Sequence, residues 1–149
     1  MPQASGSIEL LDVNVRTALQ LTQAALPAMR DAGWGRVVNI ASFVAIGAPQ
    51  RTAYAAAKAA LISCTRGWAL ELATTGITVN AVAPGPTETE LFRENNGPGS
   101  DGEARYLSWV PMRRFGHADE IAADSVSSAV MIRGCRPVSE TACGSQASE

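Results

Sequence analysis

Apolar residues recur at helical spacing from Ile8 through Leu11, Val15, Ala18, Leu19, Ala25, Leu26 and Met29, which predicts a helix over residues 8–32. Gly33 is placed to end it as a C-terminal cap, and Pro27, inside the run, predicts a kink. The period then changes. Arg36-Val37-Val38-Asn39-Ile40-Ala41-Ser42 is short, β-branched and nearly continuous in apolar character, the pattern of a strand buried on both faces of a parallel sheet. Gly47 and Pro49 make residues 43–51 a loop. Residues 53–74 are rich in alanine and leucine and hold no proline, so a long helix is expected there, stopped near Gly76. Ile77-Thr78-Val79-Asn80-Ala81-Val82-Ala83 reads as a second buried strand, closed by Pro84-Gly85-Pro86. Residues 86–116 are largely polar, with Gly97, Pro98, Gly99 and Gly102, and predict a mobile segment over a site. Residues 118–131 read as one more helix, and no clear period follows Arg133.

Helices that alternate with continuous apolar strands imply right-handed crossovers and an α/β, doubly wound parallel sheet. Two strands make a thin sheet, so the expected fold is a partial one that lacks the N-terminal strands. Such a sheet should leave some of Val37, Val38, Ile40, Val79 and Val82 exposed, and a marginal, aggregation-prone fold is expected.

Composition narrows the function classes. The chain has 149 residues, 46% of them hydrophobic and 17% charged, enough apolar side chain for one core. A net charge of −2 offers no field for nucleic acid or an anionic membrane. Three cysteines without a C-x-x-C pair, and a single histidine, argue against a disulfide framework or a metal site. No apolar run is long enough to span a membrane, and the first residues lack the pattern of a signal peptide, so a cytoplasmic protein is expected.

Tyr54 and Lys58 stand four residues apart in a predicted helix, on one face and one turn apart. An ammonium near a phenol favours the phenolate and lowers its pKa from ~10, which suits a general acid or base near neutral pH. Ser42 ends the first strand twelve residues before Tyr54, at the sheet edge where ligand groups gather in open α/β folds. The second strand ends at the same edge in Pro84-Gly85-Pro86-Thr87-Glu88-Thr89. Asn14 lies inside the first helix, a position asparagine disfavours without a reason. Each feature alone recurs in unrelated helices and turns.

Four stretches, Asp12-Val13-Asn14-Val15, Gly35 to Ser42, Tyr54 to Leu61 and Gly76 to Gly85, stand in order and at the right spacing. Together they resemble the successive landmarks of short-chain dehydrogenases/reductases, in particular the 3-oxoacyl-carrier-protein reductases and related polyol dehydrogenases, over residues 8–122. The resemblance implies a Rossmann-like fold and hydride transfer between NAD or NADP and a carbonyl/alcohol substrate. It makes Tyr54 the acid/base, Lys58 the group that lowers its pKa and holds the nicotinamide ribose, Ser42 the carbonyl polariser and Asn14 the anchor of a water through its main chain. It assigns Pro84, Gly85, Thr87 and Thr89 to the carboxamide and phosphate end of the cofactor, and implies a homo-oligomer through helices 8–32 and 53–74.

The family's Thr-Gly-x-x-x-Gly-x-Gly and Asn-Asn-Ala-Gly stretches are missing from this sequence, and with them the residue that selects NAD or NADP. Gly97 to Gly102 matches Gly-x-Gly-x-x-Gly but follows no strand, so it is not a dinucleotide fingerprint. The expected organisation is a truncated catalytic domain over 1–123 and an aberrant tail over 124–149, as a reading-frame shift near Ala123 would produce. The alternative to an active enzyme is an inactive remnant that acts as a dimerisation or binding fragment.

Overall fold

The computed structural model describes residues 4–130. The first helical run is α1 (Ala4–Leu11), a π-helical turn (Asp12–Arg16) and α2 (Thr17–Asp31). The run departs from α geometry at residues 12–16, and α2 continues through Pro27. Gln23, whose carbonyl loses its partner at Pro27, is exposed, as is Pro27 itself, so the missing bond falls on the solvent side. Gly33, at φ 60°, ends the run as expected.

Two parallel strands follow in the expected places: β1 (Gly35–Ile40) and β2 (Ile77–Val82), paired from Gly35 with Ile77 to Ile40 with Val82. Between them lie a 3₁₀ turn (Phe43–Ile46) and α3 (Thr52–Glu71). The strands are covered on both faces. On one, Asn39 Nδ2 donates to Thr65 Oγ1 of α3 at 2.9 Å, and that hydroxyl donates to Leu61 O at 2.7 Å. On the other, Asn80 Nδ2 donates at 2.9 Å to Ser128 O of the last helix, α6 (Ala118–Val130). The core sits beneath β2, where Leu72, Ile77 and Val79 pack with Leu26, Met29, Val37 and Trp68.

β2 is buried as expected, with Val79 and Val82 inside, but β1 is only partly buried. Val37 and Val38 are half-buried and Ile40 is 45% exposed, because β2 is the only strand beside β1 among the described residues. Gly76, at φ 76°, brings the chain into β2 against the Gly33 carbonyl, where a Cβ would stand 2.1 Å from that oxygen.

Residues 86–116, expected as a mobile segment over a site, hold regular elements. They form β3 (Thr87–Glu88), α4 (Glu90–Asn95) and α5 (Asp101–Ser108), and β3 pairs in parallel with β4 (Gly116–His117). Thr89 and Ser100 cap the two helices by accepting the N–H groups of Phe92 and Glu103. Arg93 ties them together through Glu88 and Glu103. The glycine-rich stretch 97–102 is the turn between α4 and the first turn of α5, with no strand before it. The tail expected over 124–149 lies outside the described residues from 131 onward. Among the described residues no helix is long and apolar enough to cross a membrane.

Candidate active site

The ladder of the parallel pair runs on past both strands. Ala41 N–H donates to Val82 O at 2.7 Å and Phe43 N–H to Pro84 O at 3.0 Å. These bonds hold Ser42 beside the Pro84-Gly85 turn at the carboxyl edge of the sheet, where the sequence placed both. Ser42 is extended and caps the 3₁₀ turn, its Oγ accepting weakly from Val44 N–H at 3.4 Å. Its hydroxyl hydrogen has no acceptor among the described residues.

Tyr54 and Lys58 lie in the first two turns of α3, on the face that meets that edge. Lys58 Nζ donates to Ile40 O at 2.8 Å, the last carbonyl of β1, and stands 5.6 Å from the centre of the Tyr54 ring. Burial lowers the Lys58 pKa from its ordinary value, because desolvation penalises the ammonium. Lys58 is also the only lysine among the 149 residues. Tyr54 is half-buried, and its hydroxyl has no hydrogen-bond partner among the described residues.

Asn14 occupies the π-helical turn. Its Nδ2 donates at 2.9 Å to Leu10 O, the carbonyl that residue 14's own N–H would serve in an α-helix. The wider turn moves backbone pairing one residue further back, and the amide side chain covers the carbonyl so freed. That is the reason an asparagine sits here. Asn14 and Lys58 line one cavity of about 450 Å³ between the first helical run and β1, walled otherwise mostly by apolar side chains such as Val13, Leu21 and Val38. Ser42 and Tyr54 do not line it.

Gly85 and Thr87 line a second, smaller cavity of about 230 Å³ with Pro86, Val110, Met112 and Arg114. Thr87 Oγ1 donates back to Gly85 O at 3.0 Å, which tightens the turn. Thr89 and Pro84 lie outside this lining: Thr89 caps α4 and Pro84 O holds Phe43. The cavity is braced by a two-pronged pair, Arg114 Nη1 and Nη2 on Glu120 Oε2 and Oε1 at 2.8 and 2.6 Å. Those bonds and a donation from His117 N–H pull the Glu120 carboxyl down to about 2.

Arg51 was not legible in the sequence. Its Nη2 donates to Tyr106 Oη at 2.6 Å and ties α5 to the start of α3, three residues ahead of Tyr54. Nor did it show that Phe43, next to Ser42, packs on Trp109. An arginine just before a helix and aromatic residues scattered through a polar segment have no pattern of their own.

Comparison with known proteins gives consistent matches. A family model described as enoyl-(acyl carrier protein) reductase matches residues 3–127. The 3-oxoacyl-(acyl-carrier-protein) reductase of Pseudomonas aeruginosa is 44% identical over 115 residues, 76% of this chain and 45% of that protein. The Thermotoga maritima enzyme of the same name is 41% identical over 114 residues, again 76% and 45%. The chain thus spans just under half the length of the curated relatives it matches. A solved structure described as a short chain dehydrogenase/reductase family protein superposes with a TM-score of 0.77 at 37% identity, covering 86% of this chain and 52% of that one. A Thermus thermophilus protein does so with a TM-score of 0.78 at 34% identity, covering 86% and 54%.

Proposed function

The chain belongs to the short-chain dehydrogenase/reductase family, and we propose from that premise that it carries the proton-transfer half of an oxidoreductase. That enzyme moves a hydride between NAD or NADP and a small-molecule carbonyl/alcohol pair. The observation that supports this most is the placement of Lys58 between the last carbonyl of β1 and the Tyr54 ring.

The hydrogen-bond inventory fits the nicotinamide end of such a cofactor. An ammonium has three donors, and Lys58 commits one of them, to Ile40 O. Tyr54 Oη and the Ser42 hydroxyl hydrogen have no partner among the described residues. Lys58 and Tyr54 would hold the ribose hydroxyls, and Pro84, Gly85, Thr87 and Thr89 the carboxamide and phosphate end. Bound there, the cofactor supplies or accepts the hydride. In the reductive direction Ser42 donates a hydrogen bond to the substrate carbonyl oxygen and polarises it. Tyr54 Oη gives that oxygen its proton, and the phenolate left behind is stabilised by the neighbouring ammonium. The main chain of Asn14, in its π-helical turn, anchors a water that returns a proton to Tyr54 through Lys58. The cytoplasm is the compartment proposed for such a reductase.

The test is oxidation of NADPH with a 3-oxoacyl thioester as substrate. Turnover is expected, and Y54F should lower kcat by about 10²–10⁴-fold, the usual worth of a positioned proton donor, with an unchanged far-ultraviolet circular dichroism spectrum. Turnover that survives in Y54F would overturn the role of Tyr54.

Exposed apolar side chains on the same helices favour a second reading, association of two copies. Ile8, Val13 and Leu21 on the first run and Leu70 on α3 all face solvent. This reading predicts a dimer by sedimentation velocity with or without turnover, and a dimer without turnover would make the chain a binding fragment.

A further inference from the structure

Five aromatic rings form a chain that begins at the residue after Ser42. Phe43 stands 5.9 Å from Trp109, Trp109 5.1 Å from Tyr106, Tyr106 5.3 Å from Phe92 and Phe92 4.8 Å from Phe115. Every pair is tilted or edge-on, the arrangement that ring quadrupoles favour. Phe115, at the far end, is buried, whereas Trp109, near the Ser42 end, is 40% exposed. The row is pinned at its middle, where Arg51 donates to Tyr106 Oη. The C-terminal end of α5 is thus tied on one side to the Ser42 segment and on the other to the start of the Tyr54 helix. These two segments carry the hydroxyl groups left without partners.

We propose that Phe43 and Trp109 form the apolar wall of the substrate site beside the Ser42 hydroxyl, and that this wall favours carbonyl compounds that carry an aryl group on the carbonyl carbon. This rests on the proposed role of Ser42. An aryl group gains a ring partner on the open part of Trp109 and loses water from a surface that hydrates poorly. A polyhydroxylated ketone at the same wall must desolvate its hydroxyls against carbon. The nearest polar group on the row, the Tyr106 hydroxyl, is already engaged by Arg51.

The test is a ¹⁵N-correlated NMR titration of the whole chain, whose three tryptophans give three indole N–H signals. W109F identifies the Trp109 signal by its loss. Acetophenone in the millimolar range is expected to shift that signal and the amides of Phe43 and Val44, and to leave Trp34 and Trp68 unmoved. Dihydroxyacetone at the same concentration should move none of them. W109A, or W109L should the smaller residue not fold, should weaken acetophenone binding about 5-fold, the worth of one aromatic pair. Equal shifts with both ketones, or acetophenone shifts that miss Trp109, overturn the proposal. Titration of the same sample with NADPH separates the two ideas. Shifts around Lys58 with no acetophenone response at Trp109 sink the wall and spare the reductase. Acetophenone shifts at Trp109 with no response to NADPH do the reverse.

Discussion

The buried polar pair that joins β1 to α3 offers a quantitative test of how the site is held. Asn39 and Thr65 are 7% and 3% exposed. Asn39 donates to Thr65, and Thr65 passes its own hydrogen to Leu61 O. Asn39 lies on the strand that ends beside Ser42, and Thr65 two turns beyond Lys58 on the helix that carries Tyr54. N39A removes the donor, leaves the Thr65 oxygen without it and opens a small cavity, so a cost of about 1–3 kcal/mol is expected. T65V keeps the volume but strands the Asn39 amide in the interior, at about 1–3 kcal/mol. The double variant N39A/T65V has no stranded group, and its cost should fall short of the sum of the singles by about 1 kcal/mol. Urea unfolding followed by circular dichroism reads this directly. At a slope of about 2 kcal/mol/M, each single variant moves the midpoint by roughly one molar. Additivity within about 0.3 kcal/mol would show that the two side chains do not interact.

Two further outcomes follow from particular residues. Arg114 and the His117 N–H hold Glu120 at about 2, below the ~4.3 of an unfolded glutamate, so its contribution is full above that value and is lost as the pH falls from there toward 2. Urea midpoints should therefore drop on acidification through this window, and E120Q should start lower at neutral pH and drop less; an unchanged acid profile in E120Q would rule the pair out as a stabilising contact. G76A asks a side chain to adopt φ 76° against the Gly33 carbonyl, and should cost about 1–3 kcal/mol or more in a thermal melt, whereas a wild-type melting temperature would mean that the junction into β2 relaxes freely.

The regular elements were legible where a period persisted. The two strands and the helices over 8–32 and 53–74 are long enough for apolar spacing to determine their type, and Gly33 ended the first of them in the conformation glycine allows. What failed was local. The π-helical turn depends on a shift of backbone pairing that apolar spacing does not encode, and only the misfit of Asn14 marked it. The helix continues through Pro27, and the bond that the proline lacks falls on the solvent side. The elements within 86–116 were not legible because α4 and α5 are only six and eight residues long and are held by rings and by Arg93, contacts with no period. The edge residues Ser42, Lys58 and the Pro84-Gly85 turn were legible as a group because strand ends in a parallel sheet converge. The rings that join Phe43 to α5 were not, since their meeting depends on how the chain folds back.

Lys58 and Tyr54 are proposed to act as one proton-transfer pair facing the nicotinamide ribose. Because Lys58 is the only lysine, reductive ¹³C-methylation gives it a single side-chain resonance, set apart from the terminal amine. This resonance is expected to titrate below the ordinary ~10.4 of lysine, because burial disfavours the ammonium, and to shift saturably with NADPH in the wild type and by a different amount in Y54F. A titration in the ordinary range with no response to NADPH would overturn the pair.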